Sequence, residues 1–166
     1  MILYSLAYTI KMSKKGSHQI KDYFDFVVPP LEGFWWQDGV KDIEYAHKER
    51  FNFISCIRMP EFVTDEVLAW AKKEAAIKKG LDFSPVKLLV LTEGKCVQIM
   101  HHGSYDDEPA TIAKMHQFIA KNDLGLDFSD QRRHHEIYLS NPQRTKLENL
   151  KTIIRLPVKE KKMKND

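Results

Sequence analysis

The sequence predicts an α+β fold, and three observations lead there. At 166 residues, 43% hydrophobic and 30% charged, the chain has the size and balance of one globular domain with a real core. Some of its apolar residues recur at helical spacing and others alternate with a period of two, so both element types are present. The order is helix, strand, strand, helix, strand, strand, helix, strand, strand, one helix for each pair of strands.

The first element is ILYSLAYTIKM, where Leu3, Leu6, Ala7 and Ile10 form a stripe and Gly16 closes a lysine-rich end. No capping residue precedes it, so a segment upstream, including a first strand, is expected to be missing. Residues 23 to 37 read as a strand restricted by Pro29 and Pro30 to an edge or a bulge. A loop follows over 38 to 47, and then RFNFISCIRM alternates Phe51, Phe53, Ile57 and Met59. Thr64 or Asp65 caps a helix through about Lys79, Gly80 ends it, and Val67, Leu68, Ala71 and Ala75 are its buried side. VKLLVLTEGKCVQIMHHG, 86 to 103, reads as two strands joined at Glu93-Gly94. Gly103 turns the chain into a helix from Glu108 to Lys121, with Pro109 in its first turn and Ile112, Met115, Phe118 and Ile119 inward. HEIYLS and TIIRLPV are the last two strands.

Charge and cysteine content narrow the function classes. The net charge is +3, and Lys159, Lys161, Lys162 and Lys164 set against Glu160 and Asp166 account for most of it. Residues 1–158 form the expected domain and 159–166 a basic, frayed tail. No extended phosphate-binding face is expected, so no nucleic-acid partner, and no long apolar stretch calls for a membrane. Cys56 and Cys96 fit apolar thiols in a reducing, cytoplasmic setting.

Strand alternation sorts the candidate site residues into faces. In HHEIYLS, Ile137 and Leu139 are expected under the helices, leaving His134, Glu136, Tyr138 and Ser140 across from them. In CVQIMHH the same rule leaves Gln98, Met100 and His102 on the far face, a mixture typical of a ligand-lined cleft. In LEGFWW, Glu32, Phe34 and Trp36 share one face and Leu31, Gly33 and Trp35 the other. One tryptophan is thus available to stack a flat ligand; the plain alternative is that both rings are core. A glutamate walled by aromatic rings exchanges a proton with a substrate or pairs with a cationic one. For Glu136 the plain alternative is a strand residue satisfied by Arg132 or Arg133.

Five of seven histidines fall in His101-His102, His116 and His134-His135, but adjacent strand residues diverge and no zinc spacing occurs, so no metal and no cofactor is expected. A G-x-S-x-G nucleophile motif and a glycine-rich phosphate loop are both lacking.

VVPPLEGFWWQ, IRMPEFVTDEV, EGKCVQIMHHGSYDDEP and HHEIYLSNP followed by LKTIIRLPVK closely resemble the GyrI-like small-molecule-binding proteins, in the branch with a tandem tryptophan after PPLEG. The resemblance implies an antiparallel sheet of two pseudo-symmetric strand-helix-strand-strand halves with a central ligand cleft. It also implies binding of flat hydrophobic or cationic aromatic molecules at the glutamate of EIYL, here Glu136. The branch resembles cofactor-independent hydrolases that open cyclopropane rings of genotoxic xenobiotics; a module that only binds ligand, sequestering toxins or modulating a partner, is the alternative. Matching positions give Glu136 and Tyr105 as catalytic candidates. Trp35, Trp36, Glu32, Phe34, Met100, His102 and Tyr138 are the ligand-binding ones. The absent first strand leaves an edge open to instability, strand exchange or a homodimer contact. A DNA-binding helix-turn-helix is lacking too, which disfavours a regulator acting alone.

Overall fold

The structure, a computed structural model, describes residues 2–40 and 43–161. Its helices are α1 (Ile2–Lys11), α2 (Asp65–Lys79) and α3 (Glu108–Lys121). Its strands are β1 (Glu32–Trp36), β2 (Asn52–Cys56), β3 (Cys96–His102), β4 (Leu124–Leu126), β5 (His134–Tyr138) and β6 (Lys151–Glu160). The fold is α+β, with the strands in one six-stranded sheet of order β2-β1-β5-β6-β3 and β4 also paired to β6. The β1–β5, β5–β6, β6–β3 and β6–β4 ladders are all antiparallel.

The chain divides into two compact units, Met1–Pro30 with Cys56–Val90, and Leu31–Ser55 with Leu91–Asp166. In the first, Leu6 and Ile10 of α1 and Leu68, Ala71 and Ala75 of α2 pack with Ile20, Phe62, Val63 and Phe83. Helix α2 forms where its local signals say. The Thr64 side chain accepts from the Val67 N–H at 3.4 Å, acidic Asp65 and Glu66 open the first turn, and Gly80 takes a left-handed φ of 65°. In the second unit, Ile112, Met115 and Ile119 of α3 cover Ile154, Leu156 and Val158 of β6. Each such side chain contributes about 1.5–3 kcal/mol when fully buried. Phe118, expected inward, is instead exposed.

Several expectations about strands need correction. Only Glu32–Trp36 of the run 23–37 forms a strand, because Pro29 and Pro30 have no N–H to give a ladder. Residues 86–94 form no strand: only the second arm of the expected hairpin, β3, is present, and Val90 stands 94% exposed. The three-residue β4 was not foreseen. The first unit carries α1 and α2 but none of the sheet beyond Cys56. Lys159 and Glu160 belong to β6 rather than to a frayed tail; residues 162–166 of that expected tail lie outside the described residues. Both cysteines are half-buried free thiols. No described helix is long and apolar enough to cross a membrane.

Candidate functional site

The register of the sheet decides which candidates meet. Glu136 lies opposite Gly33 of β1 and Ile154 of β6, and Ile154 lies opposite Ile99 of β3. Ile154 is core under α3, so His134, Glu136 and Tyr138 sit on the helix-covered face. Gln98, Met100 and His102 lie on the other face with Arg155, Ile153 and Lys151. The expected grouping of Glu136 with Met100 and His102 is therefore corrected. The sheet separates them.

On the covered face a hydrogen-bonded chain ends on Glu136. Trp35 Nε1 donates to the Tyr138 hydroxyl at 2.9 Å, and that hydroxyl donates to Glu136 Oε2 at 2.7 Å. His134 Nε2 lies 2.9 Å from Glu136 Oε1. Glu136 itself is only 7% exposed and His134 1%. Neither Arg132 nor Arg133 satisfies the carboxylate. Arg132 pairs with Asp127, while Arg133 stacks 3.5 Å from the centre of the Trp36 ring.

The walls of this site are aromatic. The Trp35 ring meets Phe53 at 5.1 Å and Phe51 at 6.0 Å, both supplied by β2 and its lead-in. Tyr105 stands edge-on to Tyr138 with ring centres 6.0 Å apart. Burial, then the nearby charges of Glu108 and Glu136, push the Tyr105 hydroxyl up from its ordinary value. Burial and the Glu136 charge push Tyr138 up much further. Both phenols are O–H donors at neutral pH.

Gly33 makes the chain of bonds fit. A Cβ built there would lie 2.8 Å from both Trp35 Nε1 and the Tyr138 hydroxyl. The bare backbone opposite Glu136 is the space in which the two side chains meet.

The opposite face holds the remaining candidates in a different network. His135 is clamped between Glu32 Oε2 and Glu93 Oε1, 2.8 Å from each, and Phe34 stacks on its ring at 4.1 Å. Arg155 holds the other Glu93 oxygen at 2.8 Å and reaches Gln98 at 3.0 Å. Only an imidazolium donates from both nitrogens. Burial opposes the charge on His135, but the bonds to Glu32 and Glu93 outweigh it and raise its pKa; the bond from His135 in turn lowers that of Glu93. Glu32 and Phe34 are thus tied into a charge-paired strut on the face away from Glu136.

Trp36 also lies on this side, where its Nε1 donates to Asp38 at 3.2 Å. Both tryptophans border a surface groove of about 220 Å³ that Phe128 and Arg133 help to line. Among the described residues no group of three His, Cys, Asp or Glu side chains is placed to hold a metal.

Sequence reasoning missed Gly33, Phe51, Phe53, Glu93 and the pairing of His134 with Glu136. The last was legible in part, since residues two apart on a strand share a face.

A family model described as the GyrI-like small molecule binding domain matches residues 3–159. No curated protein matches the chain. Among solved structures, it is similar to a hydrolase from Listeria innocua, 48% identical with a TM-score of 0.86, over 95% of this chain and 76% of that one. An uncharacterized conserved protein from the same organism is 50% identical with a TM-score of 0.87, over 95% of this chain and 77% of that one. With the family model matching nearly its whole length and its strands setting a buried glutamate among aromatic rings, this chain belongs to the GyrI-like small-molecule-binding family.

Proposed function

We propose that the chain binds flat hydrophobic or cationic aromatic molecules against the Glu136 face and hydrolyses those carrying an activated cyclopropane ring, as a detoxifying enzyme. The observation that carries this reading is the hydrogen-bonded carboxylate of Glu136 walled by Trp35, Tyr138 and Tyr105. The hydrolase from Listeria innocua, at 48% identity, supports the enzymatic class.

In the proposed reaction a water oxygen attacks a ring carbon and Glu136 takes the proton it releases. Each carboxylate oxygen has two lone pairs, so the bonds from His134 and Tyr138 leave acceptor capacity for that water. The ring C–C bond breaks as the new C–O bond forms, and its electron pair runs into the conjugated carbonyl of the substrate. Tyr138 points its proton at Glu136, which leaves Tyr105 as donor to that carbonyl oxygen. Trp35 stacks the aromatic system and excludes water. The step needs no covalent intermediate and no cofactor.

Glu136→Gln is expected to retain ligand affinity while turnover falls at least ~100-fold, the low end for a general base. The assay is mass spectrometry of a cyclopropane-bearing alkylator, looking for product heavier by one water. Turnover near that of the wild type in this variant rejects the mechanism. A second reading, binding without turnover, draws on the fact that both Glu136 oxygens already accept hydrogen bonds. Quenching of Trp35 fluorescence by the alkylator with no hydrated product decides for it.

A further inference from the structure

We propose that His134 is the positioning residue of this site, a neutral imidazole whose Nε2–H pins one oxygen of Glu136 while Tyr138 pins the other. The proposal deepens the reading of Glu136 as the reacting carboxylate.

The bonds around Glu136 have only one consistent set of directions. Trp35 Nε1 has only a hydrogen to give, so the Tyr138 oxygen accepts from it and the Tyr138 proton turns to Glu136 Oε2. At the other oxygen, His134 Nε2 is 2.9 Å away in a region where the histidine is 1% exposed. His134 Nδ1 is buried with no hydrogen-bond partner among the described residues.

Three protonation states are open to His134. An imidazolium buries a charged N–H with nothing to accept it, the costliest arrangement of the three. The neutral Nδ1–H tautomer buries the same orphan donor and also sets the Nε2 lone pair against a carboxylate oxygen. The neutral Nε2–H tautomer avoids both, leaving a bare Nδ1 lone pair as the one unmet group. The carboxylate then receives one donor on each oxygen, which fixes its rotamer and orients its remaining lone pairs toward the aromatic wall.

The next residue provides an internal contrast. His135, on the opposite face, has a carboxylate oxygen 2.8 Å from each ring nitrogen and is held as the imidazolium. Two adjacent histidines therefore carry different charges, and one spectrum reads both.

The experiment has two arms. In long-range ¹⁵N–¹H correlation spectra of the wild type at neutral pH, His134 is expected to show a protonated Nε2 and an unprotonated Nδ1, and His135 two protonated nitrogens. A doubly protonated His134, or one carrying its proton on Nδ1, overturns the proposal whether or not the protein is an enzyme. In the second arm, His134→Leu is expected to lower turnover about 10–100-fold, the effect of losing a supporting hydrogen bond. Affinity for a non-reactive analogue should change less than about threefold, so that the loss falls on kcat. His134→Gln, which keeps an amide N–H near the Nε2 position, should recover most of the turnover. Equal loss in the two variants, or none in His134→Leu, overturns the assignment. A wild type without any turnover sinks the catalytic reading of Glu136, and the spectrum then decides the role of His134.

Discussion

Replacing Gly33 by alanine removes none of the groups on the Glu136 face yet is expected to disconnect them. The added Cβ would lie 2.8 Å from both Trp35 Nε1 and the Tyr138 hydroxyl, where ordinary contact begins at 3.4 Å. Both of those groups must retreat, each by roughly 0.6 Å (3.4 − 2.8), for the contacts to become ordinary. Their mutual bond is 2.9 Å, so such a retreat takes it to the edge of a hydrogen bond or beyond.

The loss of that bond costs about 1 kcal/mol and the crowding about 1–3 kcal/mol. The smaller entropy of an unfolded alanine offsets about 0.4–1 kcal/mol. The net destabilisation is about 1–3.5 kcal/mol, or ~2–14 °C in Tm for a chain of this size. Circular dichroism melts measure it, and tryptophan emission reports the displaced Trp35 ring. In a Trp35→Phe background, which has no Nε1 to collide with, the same substitution should cost less, and the double-mutant cycle isolates the coupling. A Gly33→Ala protein that melts within about 1 °C of the wild type with unchanged emission refutes this account.

Three further outcomes are expected. His135 has a folded pKa raised above its ordinary 6.5, so the stability it adds through Glu32, Glu93 and Arg155 is complete below that value and is lost as pH rises through the higher folded one. Melts from pH 6 to pH 9 should therefore fall more steeply for the wild type than for His135→Gln, and equal slopes remove the imidazolium from the picture. Tyr138→Phe should cost about 1–3 kcal/mol in urea unfolding, because it leaves the Trp35 N–H and one Glu136 oxygen without their partner; a loss under ~0.5 kcal/mol argues against the relay. Trp36→Ala removes the ring under Arg133 but nothing on the Glu136 face, so ligand affinity by fluorescence titration should stay within about twofold, against a drop of tenfold or more for Trp35→Ala.

Helices α2 and α3 were legible because their signals are local. Thr64 caps, Gly80 turns left-handed, Pro109 sits in a first turn, and each acts within a few residues. Strands β5 and β6 were legible from alternation. The same alternation misled on orientation, since a period of two says which residues share a face and not which face the helices cover. Ile137 and Leu139 were expected under the helices, yet Glu136 faces inward and Leu139 is 44% exposed. What keeps Glu136 inside is its hydrogen bonding to His134 and Tyr138, and nothing in apolar patterning records such a bond. The run 86–94 fails as a strand for a related reason. A ladder needs a partner, and no pairing within the described residues supplies one.

The tandem tryptophans gain a different meaning from the register of β1. A single-residue deletion between Pro30 and Gly33 that slipped β1 by one place along the β5 ladder would carry each indole to the other face of the sheet. Trp36 would then take the place of Trp35, Trp35 that of Phe34 over His135, and Phe34 the bare position of Gly33, while composition would hardly change. Spacing from the proline pair, more than the presence of two large rings, thus sets which indole stands beside Glu136.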